Sequence, residues 1–211
     1  MLSINELALF AFAAFAMVIS PGPNMIYLIS RSITQGKQAG LISLIGVICG
    51  FLFHIVMVAF GLTAVLFAVP LAFTMLKISG AIYLLYMAYN AVKPNSKSLF
   101  ETQQDLAHDK PTKLFLMGFL TNILNPKMAV FYLSLFPQFI KPEVGSITAQ
   151  CFQLGLIQMC ISFTINFLII VSASKAAVFF AQNPRWVKAQ KWFMASVLTG
   201  LAVKMALTKA K

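Results

Sequence analysis

A chain of 211 residues with 60% hydrophobic and 10% charged side chains, at a mean hydropathy of +0.86, lacks the polar surface a soluble domain needs. The composition therefore points to an integral membrane protein, and the length to one domain. The formal charge of +11 would suit a nucleic acid, but the sixteen Lys and Arg are scattered between apolar runs and form no basic face. They read as markers of the cytoplasmic ends of membrane spans.

A span needs about 20 apolar residues. The first is predicted at roughly Asn5 to Ser30, with no charge from Leu7 onward. Its start carries Glu6 in place of a basic region, and its apolar run outlasts any cleavage site, so it is expected to be a retained span and not a signal peptide. In its middle stands Ser20-Pro21-Gly22-Pro23-Asn24-Met25. Pro21 cannot donate to the Met17 carbonyl, nor Pro23 to that of Ile19, and Gly22 admits backbone angles closed to other residues. Lipid offers the freed groups no partner, so such a break must line a cavity or pack inside protein.

From Gln38 to Leu76 no residue is formally charged, which is too long for one span. Pro70 divides it into a second span (about Ala39 to Phe67) and a third (about Val69 to Val92). Gly46 and Gly50 have the spacing of close helix approach. His54 is the histidine inside a span. Lys77 is expected to snorkel from the outer end of the third span, and Tyr83, Tyr86 and Tyr89 to form a packing or interface stripe. Residues 93–113 read as a hydrophilic cytoplasmic loop with a short amphipathic helix around Leu99 to Leu106.

The fourth span, about Leu114 to Ile140, is apolar except for Asn122, Asn125 and Lys127. Asn125 suits a helix N-cap and Pro126 a first helical position, which makes Lys127 part of a new half-helix near the bilayer centre. A lysine there costs about 2.5–3.5 kcal/mol on insertion scales. The fifth span lies between Glu143 and Lys175 and carries Asn166 as a candidate cavity liner. The sixth runs from about Trp186 to Leu207, with five spans as the alternative count. Cys49, Cys151 and Cys160 sit in apolar runs without metal or redox spacing and read as packing residues. The basic loops follow spans one, three and five, which places both ends of the chain outside.

The two breaks lie half a chain apart, and Pro23-Asn24-Met25 aligns with Pro126-Lys127-Met128. Each falls in the first span of a three-span half, and an odd number of spans inverts one half against the other. The expected fold is therefore all-α: six transmembrane helices as two inverted three-helix repeats, residues 1–92 and 114–211, with discontinuous first and fourth helices. Half-helix N-termini at a shared midplane suit an anion such as a carboxylate.

The SPGPNM stretch, the Arg31, Gly36 and Gly40 pattern, Gly46 and Gly50, and NPKMAVFYLSLFPQF together resemble the LysE/RhtB family of amino-acid exporters, in its RhtB-like homoserine/threonine branch. The likeness covers nearly the whole chain. It implies a secondary transporter of the bacterial inner membrane that exports amino acids or their derivatives by proton antiport, and it selects no substrate. A divalent-cation carrier of the same superfamily is the alternative, opposed by the lack of carboxylates within the spans. An enzyme built on Ser20 and His54 is rejected because no acid would orient the histidine. The expected substrate-binding residues are Ser20, Pro21, Gly22, Pro23, Asn24, Asn122, Asn125, Pro126 and Lys127, with His54 and Lys127 as candidates for proton coupling. Neither metal nor cofactor is expected. The partners are an amino acid, protons, the lipid bilayer and, as an open option, further copies of the chain.

Overall fold

The computed structural model describes residues 2–20, 22–68, 75, 78, 81, 82, 84–86, 88–90, 92, 93 and 109–207. Among these residues there are helices and turns and no strand. The helices are α1 (Ile4–Ile19), α2 (Pro23–Thr34), α3 (Lys37–Ala68), α4 (Pro111–Ile123), α5 (Pro126–Val130), α6 (Ile147–Gln182) and α7 (Pro184–Leu207). After α5 the chain continues through a π-helical turn (Phe131–Leu135) and a 3-10 turn (Phe136–Phe139). Among the described residues α3 and α6 are long and apolar enough to cross a membrane, and the count rises to four if each bent helix pair is one span. The third predicted span, with Pro70, Lys77 and Tyr83, and the amphipathic helix expected around 99–106 lie largely or wholly outside the described residues. Tyr86 and Tyr89 are described and exposed. The sixth predicted span forms α7, although it is not among the helices apolar enough to count as a span.

The first break falls where the two prolines stand. Ser20 ends α1 in extended conformation, and α2 restarts with Pro23 at its first position, 53° away in direction. The second falls at Asn125, where α4 stops and α5 starts, with a bend of 47° between its two arms. At the beginning of α1, Ser3 and Glu6 form a reciprocal cap: the Ser3 hydroxyl accepts from the Glu6 N–H, and the Glu6 carboxylate accepts from the Ser3 N–H at 2.7 Å.

The two bent pairs run antiparallel, as contacts at three levels show. At the head of α1, Glu6 pairs with Lys141, just past the end of the second pair, and Phe10 packs on Phe139, Phe136 and Phe131 at ring distances of 5.1, 5.6 and 6.0 Å. In the middle the two breaks meet. At the end of α2, Arg31 donates to Asp109, just ahead of α4, at 2.7 Å. There Lys113 also pairs with Asp109 at 2.6 Å, while Gln35 donates to its carboxylate at 3.0 Å and accepts from its N–H at 2.9 Å. The Lys113 ammonium and the Gln35 amide hold the Asp109 carboxyl below the usual aspartate range, so it stays charged at neutral pH.

Around this crossing α3 packs against α4 and α6, and α1 against α6 and α7. The α3–α4 contact is backbone on backbone. A Cβ placed on Gly46 would land on the Phe115 carbonyl, and one on Gly118 would land on the Ser43 carbonyl. The outer surface carries Phe12, Phe60, Phe163 and Trp192, all more than 40% exposed, as a lipid-facing surface requires. Gly118→Ala should lower stability by about 1–3 kcal/mol because neither backbone can yield. Gly61→Ala should leave the melting temperature unchanged or raised, because nothing stands within 4 Å of that site. Thermal unfolding in detergent reads both.

Candidate functional site

The crossing of the two breaks brings together residues about a hundred positions apart. Asn125 caps α5, its side-chain oxygen accepting from the Lys127 N–H at 3.0 Å. Its amide nitrogen donates to the Asn24 side chain at 3.1 Å, joining the breaks directly. Lys127 lies in the second position of α5, and its stem runs along Gly22, where a Cβ would stand 3.0 Å from its Cδ. Its ammonium donates to the backbone carbonyl of Ser20. In an uninterrupted helix that carbonyl would accept from the N–H of Asn24, so the break supplies the acceptor the lysine uses.

Lys127 is 4% exposed, and among the described residues no carboxylate pairs with it. Hydrogen bonds from a charged donor contribute about 1.5–3 kcal/mol, which offsets most of the cost of placing the lysine there but leaves its charge unneutralised. Beside it lies a small, partly open cavity of about 20 Å³, lined by Val18, Ser20, Gly22, Asn24, Met25, Phe51, Asn125, Lys127, Met128, Ser162 and Asn166. The Ser20 hydroxyl is buried at this wall without a hydrogen-bond partner. Asn166 donates to the Ser162 carbonyl at 2.8 Å and to its hydroxyl at 3.1 Å, so α6 presents both to the cavity. The wall thus combines one cation, short polar groups and four apolar side chains.

Of the residues expected from sequence to bind substrate, Ser20, Gly22, Asn24, Asn125 and Lys127 line this cavity, as does Asn166. Pro23 begins α2 and faces outward, Pro126 begins α5, and Pro21 lies outside the described residues. Asn122 is fully buried but stands apart from the cavity, against Gly50, with both side-chain polar atoms unpartnered. His54 also stands apart from it. Its Nε2 donates to the Asn122 carbonyl at 3.3 Å, and its ring stacks on Tyr132 at 5.1 Å. Tyr132 in turn donates to Gln158 at 2.7 Å. Sequence reasoning missed Ser162, although it stands one helical turn before Asn166 on the same face. It also missed Tyr132 and Gln158, since Tyr132 sits in a π-helical turn that has no local sequence sign.

The profile of the LysE type translocator family matches residues 15–209. Threonine efflux protein of Escherichia coli (strain K12) is 25% identical over 95% of this chain and 100% of its own length. Leucine efflux protein of Klebsiella pneumoniae is 27% identical over 96% of this chain and 95% of its own. An uncharacterised membrane protein of Bacillus subtilis is 28% identical over 92% and 95%. No solved structure gives a significant match.

The Asn24–Asn125 bond can be tested as a bridge between the breaks. Asn125→Ala should cost about 1.5–3 kcal/mol of stability, from the lost cap and the stranded Asn24. A double-mutant cycle with Asn24→Ala, read by unfolding in detergent, should return a coupling of about 0.5–1.5 kcal/mol.

Proposed function

The chain belongs to the LysE type translocator family, and from that premise we propose that it is a secondary transporter exporting amino acids or their derivatives across the bacterial inner membrane. The observation that carries this reading is the Lys127 ammonium, buried in the first break beside a cavity and, among the described residues, facing no carboxylate. A substrate carboxylate would complete its shell, with Ser20, Asn24, Asn125 and Asn166 as polar contacts and the positive end of the twelve-residue α2 behind them. The antiparallel crossing supports the six-span reading, with inverted halves 1–92 and 114–211 joined by residues 93–113 in a single transporter domain. The efflux relatives support an amino-acid cargo. A divalent-cation carrier is the weaker reading: the cavity wall holds a cation and, among the described residues, no carboxylate.

We assign the exchanged proton to His54 and the carboxylate to Lys127. A proton on Lys127 would strengthen carboxylate binding, and two ligands that favour each other are carried together, not exchanged. His54 touches Asn122 before the second break and Tyr132 after it, so a change in its charge acts on the break without occupying the cavity.

Efflux of labelled amino acids from preloaded proteoliposomes, with and without an imposed pH gradient, tests both assignments. Lys127→Gln should cut efflux roughly 10- to 100-fold, the loss of a charge-assisted bond. His54→Gln should reduce gradient-driven accumulation far more than downhill efflux. Wild-type transport of every amino acid by folded Lys127→Gln would refute the carboxylate site.

A further inference from the structure

Two acidic residues occupy matching places in the two bent pairs. Glu6 stands seventeen residues before Pro23, and Asp109 seventeen before Pro126. Each reaches across to a base at the far end of the other pair: Glu6 to Lys141, and Asp109 to Arg31. The two contacts lie at opposite ends of the same crossing. At about 1.5 Å per residue, the residues of α1 and α2 span roughly 40 Å of helix, close to a bilayer with its headgroup layers. The cavity lies between them.

Their surroundings differ in strength. The Glu6–Lys141 pair is a single partly exposed contact. The Asp109 cluster engages Arg31, Gln35 and Lys113 at once, and Arg31 also lies 5.4 Å over the ring of Tyr27. That tyrosine donates to the Leu114 carbonyl at 3.1 Å, adding a further tie between α2 and α4. With both contacts formed, the arms are clamped at both ends.

We propose that Glu6 and Asp109 are the gating carboxylates of the transport cycle, each holding one face closed, so that the cavity opens to a given side when that side's contact breaks and the other holds. This rests on the transporter reading above, and it adds residues that touch neither the cavity nor His54. It also gives two of the five carboxylates in this chain of 211 residues a place outside the membrane centre.

The test is sided labelling of the full chain in bacterial membranes, which needs no knowledge of the substrate. In a background with Cys49, Cys151 and Cys160 replaced by alanine, Val18→Cys places a thiol on the cavity wall, and Met25→Cys serves if that variant does not fold. A membrane-impermeant maleimide is applied to spheroplasts or to inverted vesicles. Asp109→Asn should raise labelling from the Asp109 face roughly two- to fivefold, the scale of shift a partly exposed ion pair supplies, with no gain from the other face. Glu6→Gln, which keeps the reciprocal cap because glutamine serves there as well, should do the opposite. Glu6→Lys combined with Lys141→Glu should restore the starting pattern. Changes from both faces at once, the same face for both variants, or no change in either would overturn the proposal. Sided labelling in a chain that moves no amino acid would retain the gates and reject the cargo.

Discussion

The Lys127 ammonium lying in a gap of another helix is the constraint on which the rest of the molecule depends. A charged group near the middle of a membrane is tolerated only with strong acceptors at hand, and a continuous helix has none to offer, because its carbonyls are already bonded. The two prolines and the glycine of the first span create the missing acceptor at Ser20. The asparagine that caps the second break then holds both gaps at the same level through Asn24. The breaks are therefore solutions to each other. Neither half of the chain satisfies its own centre.

That mutual dependence fixes the antiparallel arrangement. If the gaps must meet and each lies near the middle of its arm, the head of one arm falls beside the tail of the other. Phe10 against Phe139 and Arg31 beside Asp109 are then consequences of the central contact as well as contributors to it. The long helices α3 and α6 complete the enclosure. Phe51 comes from the first and Ser162 and Asn166 from the second, so the cavity wall draws on α1, α2, α3, α5 and α6.

Much of this was legible in the sequence for physical reasons. Prolines and a lysine in an apolar run conflict with the surrounding solvent, and each conflict names its own position. Asn125 followed by Pro126 is a local cap signature, and the structure places the start of α5 there. What stayed hidden depends on tertiary packing. Asn122 sits three residues from the break and looks equally exposed to the cavity on paper. One helical turn directs it to Gly50 instead, where its backbone carbonyl meets His54. The Tyr132–Gln158 bond spans 26 residues and depends on a π-helical turn, whose extra residue resets the facing of the side chains. The Arg31–Asp109 pairing was hidden because both residues read as ordinary loop charges.

The short helix α2 has a mechanical character that its length alone does not suggest. It is twelve residues long, with Gly22 in extended conformation at one end and Gly36, at φ 87°, just beyond the other. Glycine at that angle joins α2 to α3 without the strain any other residue would bring. The neighbour it leans on does not share this freedom, since Gly46 and Gly118 seat α3 and α4 on each other's carbonyls. The molecule therefore divides by stiffness into the close-packed pair of α3 and α4 and a lever with a joint at each end. Were its tie to Asp109 released, such a lever would turn as a whole and carry a displacement at Arg31 to Asn24 without bending its helical hydrogen bonds.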